Sequence, residues 1–491
     1  MTNTGSHFNS RKIIGLFLGP ILFLICLTLP QPPAMSENSL SVAAVAILMA
    51  TYWMSEAIPI PATALMPIVL FPVLGVMPTQ QVTLSYAHHL IFLFMGGFLI
   101  AVTIEKWNLH KRIALRTILL VGVSANQIIL GFMLATAFLS AWISNTATAM
   151  MMVTIGLAVI KQAQIDLPEL NKKSDSSSDF SAALMLGIAY AASIGGIATL
   201  IGTPPNAILA GVIESQFQYT ISFAQWMAFG VPLSLTMLFI CWVYLTRFAF
   251  HAEFTELPGG KQNIHKQLEQ LGAMSGAEKK VLCVFLLVAT GWLIRGLIDI
   301  PLLANVKDSS IAIGGALLLF IIPADFKKGE FLLDWNTAKN IPWDIMILFG
   351  GGFALAKGFA SSGLTEWIAN QLLALNGMSL FFIIFIIVLL VIFLTEITSN
   401  TATSSLLLPV TGALAVALSY HPLPLMVAVA ISASFAFMLP VATPPNAIVF
   451  SSRQITIPQM AKAGVWLNVI GSILITLFVI FYLPRVFDLK L

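Results

Sequence analysis

Charge is what this sequence has least of: Asp, Glu, Lys and Arg together make up 9% of its 491 residues, against about 25% in an ordinary soluble domain. So little polar surface cannot cover globular cores in water. With a mean hydropathy of +0.93, most of the chain must face lipid or other buried helices, which excludes a cytosolic enzyme and a nucleic-acid partner. Cysteine is scarce as well. Cys26, Cys241 and Cys283 sit in apolar runs without CxxC or His-paired spacing, so neither a disulfide framework nor a zinc site is implied. HExxH, GxSxG and paired intramembrane aspartates are missing, which removes the signatures of an intramembrane enzyme. No N-x-[ST] sequon occurs, in keeping with a bacterial plasma membrane.

What is present is apolar runs, and a membrane-spanning helix needs about 20 mainly apolar residues. About eleven candidates follow, at 13 to 30, 40 to 58, 60 to 76, 88 to 105, 183 to 211, 223 to 248, 280 to 298, 309 to 323, 343 to 360, 424 to 451 and 463 to 484. Two further stretches, 127 to 160 and 380 to 419, do not read as simple spans. The first run follows Arg11 and Lys12, but it is long and no A-x-A site comes before Pro32-Pro33, so it reads as a retained helix. With a cytoplasmic N-terminus, only Arg295, Lys307, Lys357, Arg485 and Lys490 of the 24 basic residues fall on the outer side. The positive-inside rule supports that multi-pass orientation. The polar inserts 166 to 181 and 251 to 280 then read as cytoplasmic loops.

The chain repeats itself. Phe94-Met95-Gly96-Gly97-Phe98 returns as Phe349-Gly350-Gly351-Gly352-Phe353, and Ser144-Asn145-Thr146-Ala147-Thr148 returns unchanged as Ser399-Asn400-Thr401-Ala402-Thr403, both 255 residues on. Thr203-Pro204-Pro205-Asn206-Ala207-Ile208 returns unchanged as Thr443 to Ile448, 240 residues on. Three matches in one order point to duplication. If 127 to 160 and 380 to 419 do not cross, the topology advances by about five spans from the first glycine-rich helix to the second, an odd number that inverts the second copy, as in secondary transporters. The expected division is a tail and first helix (1 to 39), repeat one (40 to 250), a cytoplasmic linker (251 to 279) and repeat two (280 to 491).

The Ser-Asn-Thr cores lie between apolar flanks, which reads as a re-entrant helical hairpin in each half. Polar non-helical backbone is tolerated at membrane depth only where it is buried or lines a watery cavity. Thr203-Pro204-Pro205 and Thr443-Pro444-Pro445 break otherwise continuous runs, because proline removes a donor and clashes with the preceding turn. A broken helix offers carbonyls to a cation and free amides to an anion. Neither motif contains Lys, Arg or His. A bound anion would therefore rely on amides, hydroxyls and helix N-termini, with co-bound cations on hard oxygen ligands supplying charge.

Glu396 stands in the second hairpin where the first has Ala141. It reads either as a functional intramembrane carboxylate or as a group facing a watery vestibule. Glu56, near Trp53, reads as interfacial and structural. The stretch 361 to 375 carries Leu364, Trp367, Ile368, Leu372 and Leu375 at helical spacing, so it and its basic counterpart 106 to 118 read as interfacial arms on opposite faces or as continuations of the preceding spans.

Paired SNT hairpins, each followed by a TPPN break and preceded by a GG-rich helix, resemble the divalent anion/sodium symporter (DASS) family of INDY-type di- and tricarboxylate carriers. The resemblance runs from about residue 40 to the end. It implies an all-α integral membrane homodimer, each protomer having a scaffold and a transport domain that moves as an elevator, and no enzymatic activity. It also implies that Ser144, Asn145, Thr146, Ser399, Asn400 and Thr401 hold the substrate carboxylates, assisted by Thr203, Thr443, Pro204 and Pro444. Two sites for the co-transported sodium ions would use Ser140, Ser144, Asn145 and the backbone near Gly202, and Thr395, Ser399, Asn400 and the backbone near Ala442. A sodium-independent dicarboxylate exchanger keeps the same motifs and is an alternative, as is a sodium symporter with sulfate as its substrate.

Overall fold

The computed structural model describes residues 10–122, 124–166, 174–250, 260–298, 305–375 and 377–489. The start of the N-terminal tail, and Lys172, Lys173 and Lys490 of the charge count, lie outside them. Among the described residues, nine helices are long and apolar enough to cross a membrane.

In the first half these elements are α1 (Ser10–Thr28), α2 (Glu37–Ser55), the short α3 (Ile60–Thr63), α4 (Met66–Val73) and α5 (Thr79–Thr83), then α6 (His89–Lys106), the arm α7 (Leu109–Val121), α8 (Ala125–Ser140), α9 (Asn145–Asp166), α10 (Ser174–Gly196), α11 (Pro204–Phe217) and α12 (Phe223–Tyr244). The second half continues with α13 (Gly260–Gln270), α14 (Gly276–Leu297), α15 (Asp308–Ile321), a two-stranded hairpin β1 (Pro323–Asp325) and β2 (Glu330–Phe331), and the short α16 (Trp335–Ala338). It ends with α17 (Trp343–Ser362), α18 (Leu364–Gln371), α19 (Leu380–Thr395), α20 (Asn400–Ala417), α21 (Pro422–Ser432), α22 (Pro444–Ser451), α23 (Ile457–Leu477) and α24 (Leu483–Phe487).

Helix starts are written locally. Ser124, Ser222, Ser275 and Thr456 cap α8, α12, α14 and α23 in reciprocal capping boxes with Gln127, Gln225, Glu278 and Gln459, satisfying donors that membrane burial would otherwise strand. Proline decides several departures from the expected spans. The run 60 to 76 is not one helix but α3 and α4, because prolines fall in the first turn of each and Pro72 lies inside α4. The runs 183 to 211 and 424 to 451 are each two helices, interrupted before Pro204 and Pro444. The run 309 to 323 holds a helix of 14 residues that gives way to the β-hairpin, the one departure from an all-helical chain among the described residues. The polar inserts are partly helical too, since α10 begins at Ser174 and α13 occupies Gly260–Gln270.

The GG-rich helices owe their composition to close packing. A Cβ on Gly96 would meet the backbone of Ala312 on α15, and one on Gly351 the backbone of Ala64 beside α3. One residue further on, Gly97 faces Ile201 and Gly352 faces Ser405 and Ile208. Smooth surfaces therefore lie between α6 and α17 and the elements that carry the polar motifs.

The arm α7 is anchored by charge. Arg112, 4% exposed, donates to Glu278 at 2.8 Å and to the carbonyls of Gly272 at 2.9 Å and Leu271 at 3.2 Å. Just before it, Lys106 donates to Asp334 at 2.7 Å. That ammonium, with the Thr337 N–H, holds the Asp334 carboxyl down at about 2.

Candidate functional site

Two short turns carry the Ser-Asn-Thr motifs. The chain leaves α8 at Ser140 and enters α9 at Asn145, and it leaves α19 at Thr395 and enters α20 at Asn400. In both, the motif serine sits at the helix start. Ser144 Oγ accepts the Ala147 N–H at 3.2 Å, and Ser399 is the N-cap of α20. Thr203 and Thr443 are extended N-caps of α11 and α22. Four helices thus begin at these motifs, and each carries partial positive charge and unpaired amides at that end.

All four starts line one cavity of about 460 Å³. Its wall includes Ser144, Asn145, Thr146, Ser399, Asn400, Thr401, Thr203, Pro204, Thr443 and Pro444, together with Gly202 and Ala442. Ser140 and Thr395 stand behind that wall, fully buried. Apolar residues from two other helices, Phe94 and Phe98 of α6 and Ile345 of α17, line it too.

Oxygen atoms converge behind each turn. Ser140 Oγ donates to the Ala192 carbonyl at 2.7 Å and touches the Asn145 amide. The same end of that amide lies 3.2 Å from the Gly202 carbonyl and 3.3 Å from the Ala192 carbonyl. With its nitrogen turned this way, the Asn145 amide donates to these oxygens; with its oxygen turned this way, only the serine proton serves four oxygens. In either orientation the Ser140 hydroxyl and the Ala192 and Gly202 carbonyls bring three oxygens together, a set that fits a hard cation. Behind the second turn, Thr395 Oγ1 reaches Asn400 Oδ1 at 2.7 Å and the Ala433 carbonyl at 3.1 Å. The unwound stretches are pinned alike. Asn206 Nδ2 donates to the Thr199 carbonyl at 2.8 Å, and Asn446 Nδ2 donates to the carbonyls of Ala436 at 2.9 Å and Leu439 at 3.0 Å.

Glu396 neither lines the cavity nor faces a vestibule. It is 3% exposed and accepts the N–H groups of Phe437 at 2.8 Å, Met438 at 2.9 Å and Leu439 at 3.1 Å, and the Asn468 amide at 2.7 Å. It fastens the second turn to the unwound stretch after α21. In the first half Thr199 ties the equivalent strands, donating to the Ala141 carbonyl and accepting the Gly202 N–H at 3.0 Å.

Sequence reasoning missed the charges at the cavity. Arg11 and Glu56 both line it, and Arg11 donates to the carbonyl of Ile397 at 3.3 Å and to that of Met54. Arg11 reads locally as a flanking basic residue of the first span, and Glu56 as an interfacial one; nothing nearby in the chain signals their meeting.

Comparison with known proteins agrees with this architecture. The family profile described as the sodium:sulfate symporter transmembrane region matches residues 10–488. A protein of Staphylococcus saprophyticus named sodium-dependent dicarboxylate transporter SdcS is 47% identical over 482 residues, covering 98% of this chain and 93% of that one. Its namesake from Staphylococcus aureus is 47% identical over 487 residues, covering 99% and 94%. Among solved structures, the YdaH transporter of Alcanivorax borkumensis aligns with a TM-score of 0.53 at 12% identity, over 96% of this chain and 97% of that one, a likeness of fold alone. On the full-length family match and the extent of identity to its relatives, this chain belongs to the sodium:sulfate symporter family, the divalent anion/sodium symporters, whose members are transporters and not enzymes.

Proposed function

We propose that this protein is a secondary transporter that carries small dicarboxylates across the plasma membrane together with sodium. The observation that carries the reading is the single cavity on which both Ser-Asn-Thr turns and both Thr-Pro-Pro helix starts converge, backed by the names of the staphylococcal relatives. Its volume lies in the usual range for small-molecule sites.

In this reading Ser144, Asn145, Thr146, Ser399, Asn400 and Thr401 donate to the carboxylates, with Thr203 and Thr443 beside them and Pro204 and Pro444 shaping the helix starts. Sodium occupies the oxygen cluster of Ser140, Ser144, Asn145 and Gly202, and its counterpart of Thr395, Ser399, Asn400 and Ala442. The two halves act as inverted repeats in a homodimer whose N-terminus is cytoplasmic, and the cavity changes sides by an elevator movement. The smooth glycine faces of α6 and α17 support such sliding.

Uptake into liposomes of labelled succinate, malate, citrate and sulfate, with and without a sodium gradient, tests the assignment. Sodium-driven dicarboxylate accumulation is expected. Preference for sulfate, or exchange indifferent to sodium, would overturn it. Since a ligand stabilises the folded state by mass action, succinate should raise the melting temperature in sodium and hardly at all in choline.

Topology has its own test. A cysteine replacing Ser174 should react with an impermeant maleimide only from the cytoplasm, and one replacing Glu366 only from outside. Reaction of both from one face would sink the inverted repeat.

A further inference from the structure

Away from the cavity, at the far end of α11, Glu214 is clasped by three groups from two other helices. His89, the first residue of α6, approaches its Oε2 at 2.8 Å, and His88, the N-cap of α6, lies 3.8 Å away. Lys307, the N-cap of α15, donates to its Oε1 at 2.9 Å and lies 3.1 Å from His89 Nε2. The Glu214 side chain is 18% exposed and that of Lys307 46%, so solvent screens the lysine arm of this pairing more than the carboxylate.

These charges are badly placed for the helices that bear them. Glu214 stands in the last turn of α11, where the helix dipole disfavours an anion, and Lys307 stands at the start of α15, where it disfavours a cation. The pairing between helices offsets both. Because α11 begins at Thr203 and Pro204 on the cavity wall, Glu214 is rigidly tied to the site. The packing beside the cluster is smooth: Gly211 abuts Phe353 of α17, and His88 packs on the same ring at 5.0 Å between centroids. Gln216 adds one bond, to the Ala356 carbonyl at 3.1 Å.

We propose that Glu214, His88, His89 and Lys307 form a latch that holds the cavity in the position described here and must open for it to change sides. The latch rests on the reading that α11 moves relative to α6 and α15. Its geometry places the polar tie at the end of α11 remote from the substrate, so it sets the balance of states without touching the ligand. A ligand-independent contact made in one state biases the population toward that state.

Two measurements, in a chain with Cys26, Cys241 and Cys283 replaced, separate the latch from the motion. The first places a cysteine at Val441, which lines the cavity and is 69% exposed, and follows its reaction with an impermeant maleimide from the face bearing the N-terminus, where Arg11 reaches the cavity. Glu214→Gln and Lys307→Ala should each slow this labelling by at least about threefold, since the latched state is then less populated. Lys307→Arg, which keeps the charge, should label like the parent. Labelling unaltered in both Glu214→Gln and Lys307→Ala overturns the latch. The second oxidises a His89→Cys, Glu214→Cys pair; the cross-link should abolish uptake and reductant should restore it. Uptake that survives a complete cross-link overturns the relative motion instead.

Discussion

Asn145→Ala and Asn400→Ala should each cut sodium-driven dicarboxylate uptake by about a hundredfold or more, while the purified protein stays folded. Each asparagine stands at a junction, with its side chain on the cavity wall and against a buried hydroxyl, Ser140 or Thr395. In the proposed reading, removing one amide takes away a donor to the carboxylate and a contact to the cation cluster together. A hydrogen bond to a charged group contributes about 1.5–3 kcal/mol, and coupling between anion and cation adds to the loss. Asn145→Asp separates the two roles. Its carboxylate keeps an oxygen for sodium but repels the substrate, so sodium should still raise the melting temperature while succinate no longer does. Near-normal uptake by either alanine variant would show that the turns are only capped helix ends.

Glu396→Ala should have the largest effect on folding. Four donors converge on this one buried carboxylate, three of them main-chain N–H groups of Phe437, Met438 and Leu439. The Phe437 N–H and the Asn468 amide sit in fully buried bonds, and orphaning these two costs about 1–3 kcal/mol each, a large share of the about 5–15 kcal/mol that keeps many proteins folded. A fall in melting temperature of more than about 10 °C, or loss of the monodisperse species in detergent, is expected. Glu396→Gln keeps one acceptor but turns its amide hydrogens toward donors, and should fall between Ala and the parent. A folded Glu396→Ala protein with ordinary uptake would contradict the fastening role.

The residues that line the cavity are legible in the sequence because polar residues at membrane depth are costly. A Ser-Asn-Thr core between apolar flanks needs a partner wherever it lies, and its exact recurrence beside a recurring Thr-Pro-Pro pairs the segments without any structure. Glu396 carried a signal too, as an acid inside an apolar run, but the signal had two meanings. A carboxylate facing water and one collecting four donors look the same in sequence. Arg11 and Glu56 carried none, since a basic residue before a span and an acid near a tryptophan are ordinary membrane flanks.

What the sequence determined by itself is whatever rests on local chemistry: the apolar spans, the helix starts at Ser, Thr and Pro, the breaks at paired prolines, and the residues able to hold an anion without a basic side chain. Tertiary structure alone decided which starts share a cavity, that Ser140 and Thr395 stand behind its wall, that Arg11 and Glu56 reach it, and that Glu214 meets Lys307 and two histidines. The physical reason is range. Capping, helix breaking and burial act over a few residues of chain, whereas an oxygen cluster or ion pair forms wherever packing brings distant segments within about 3 Å, which no local pattern encodes.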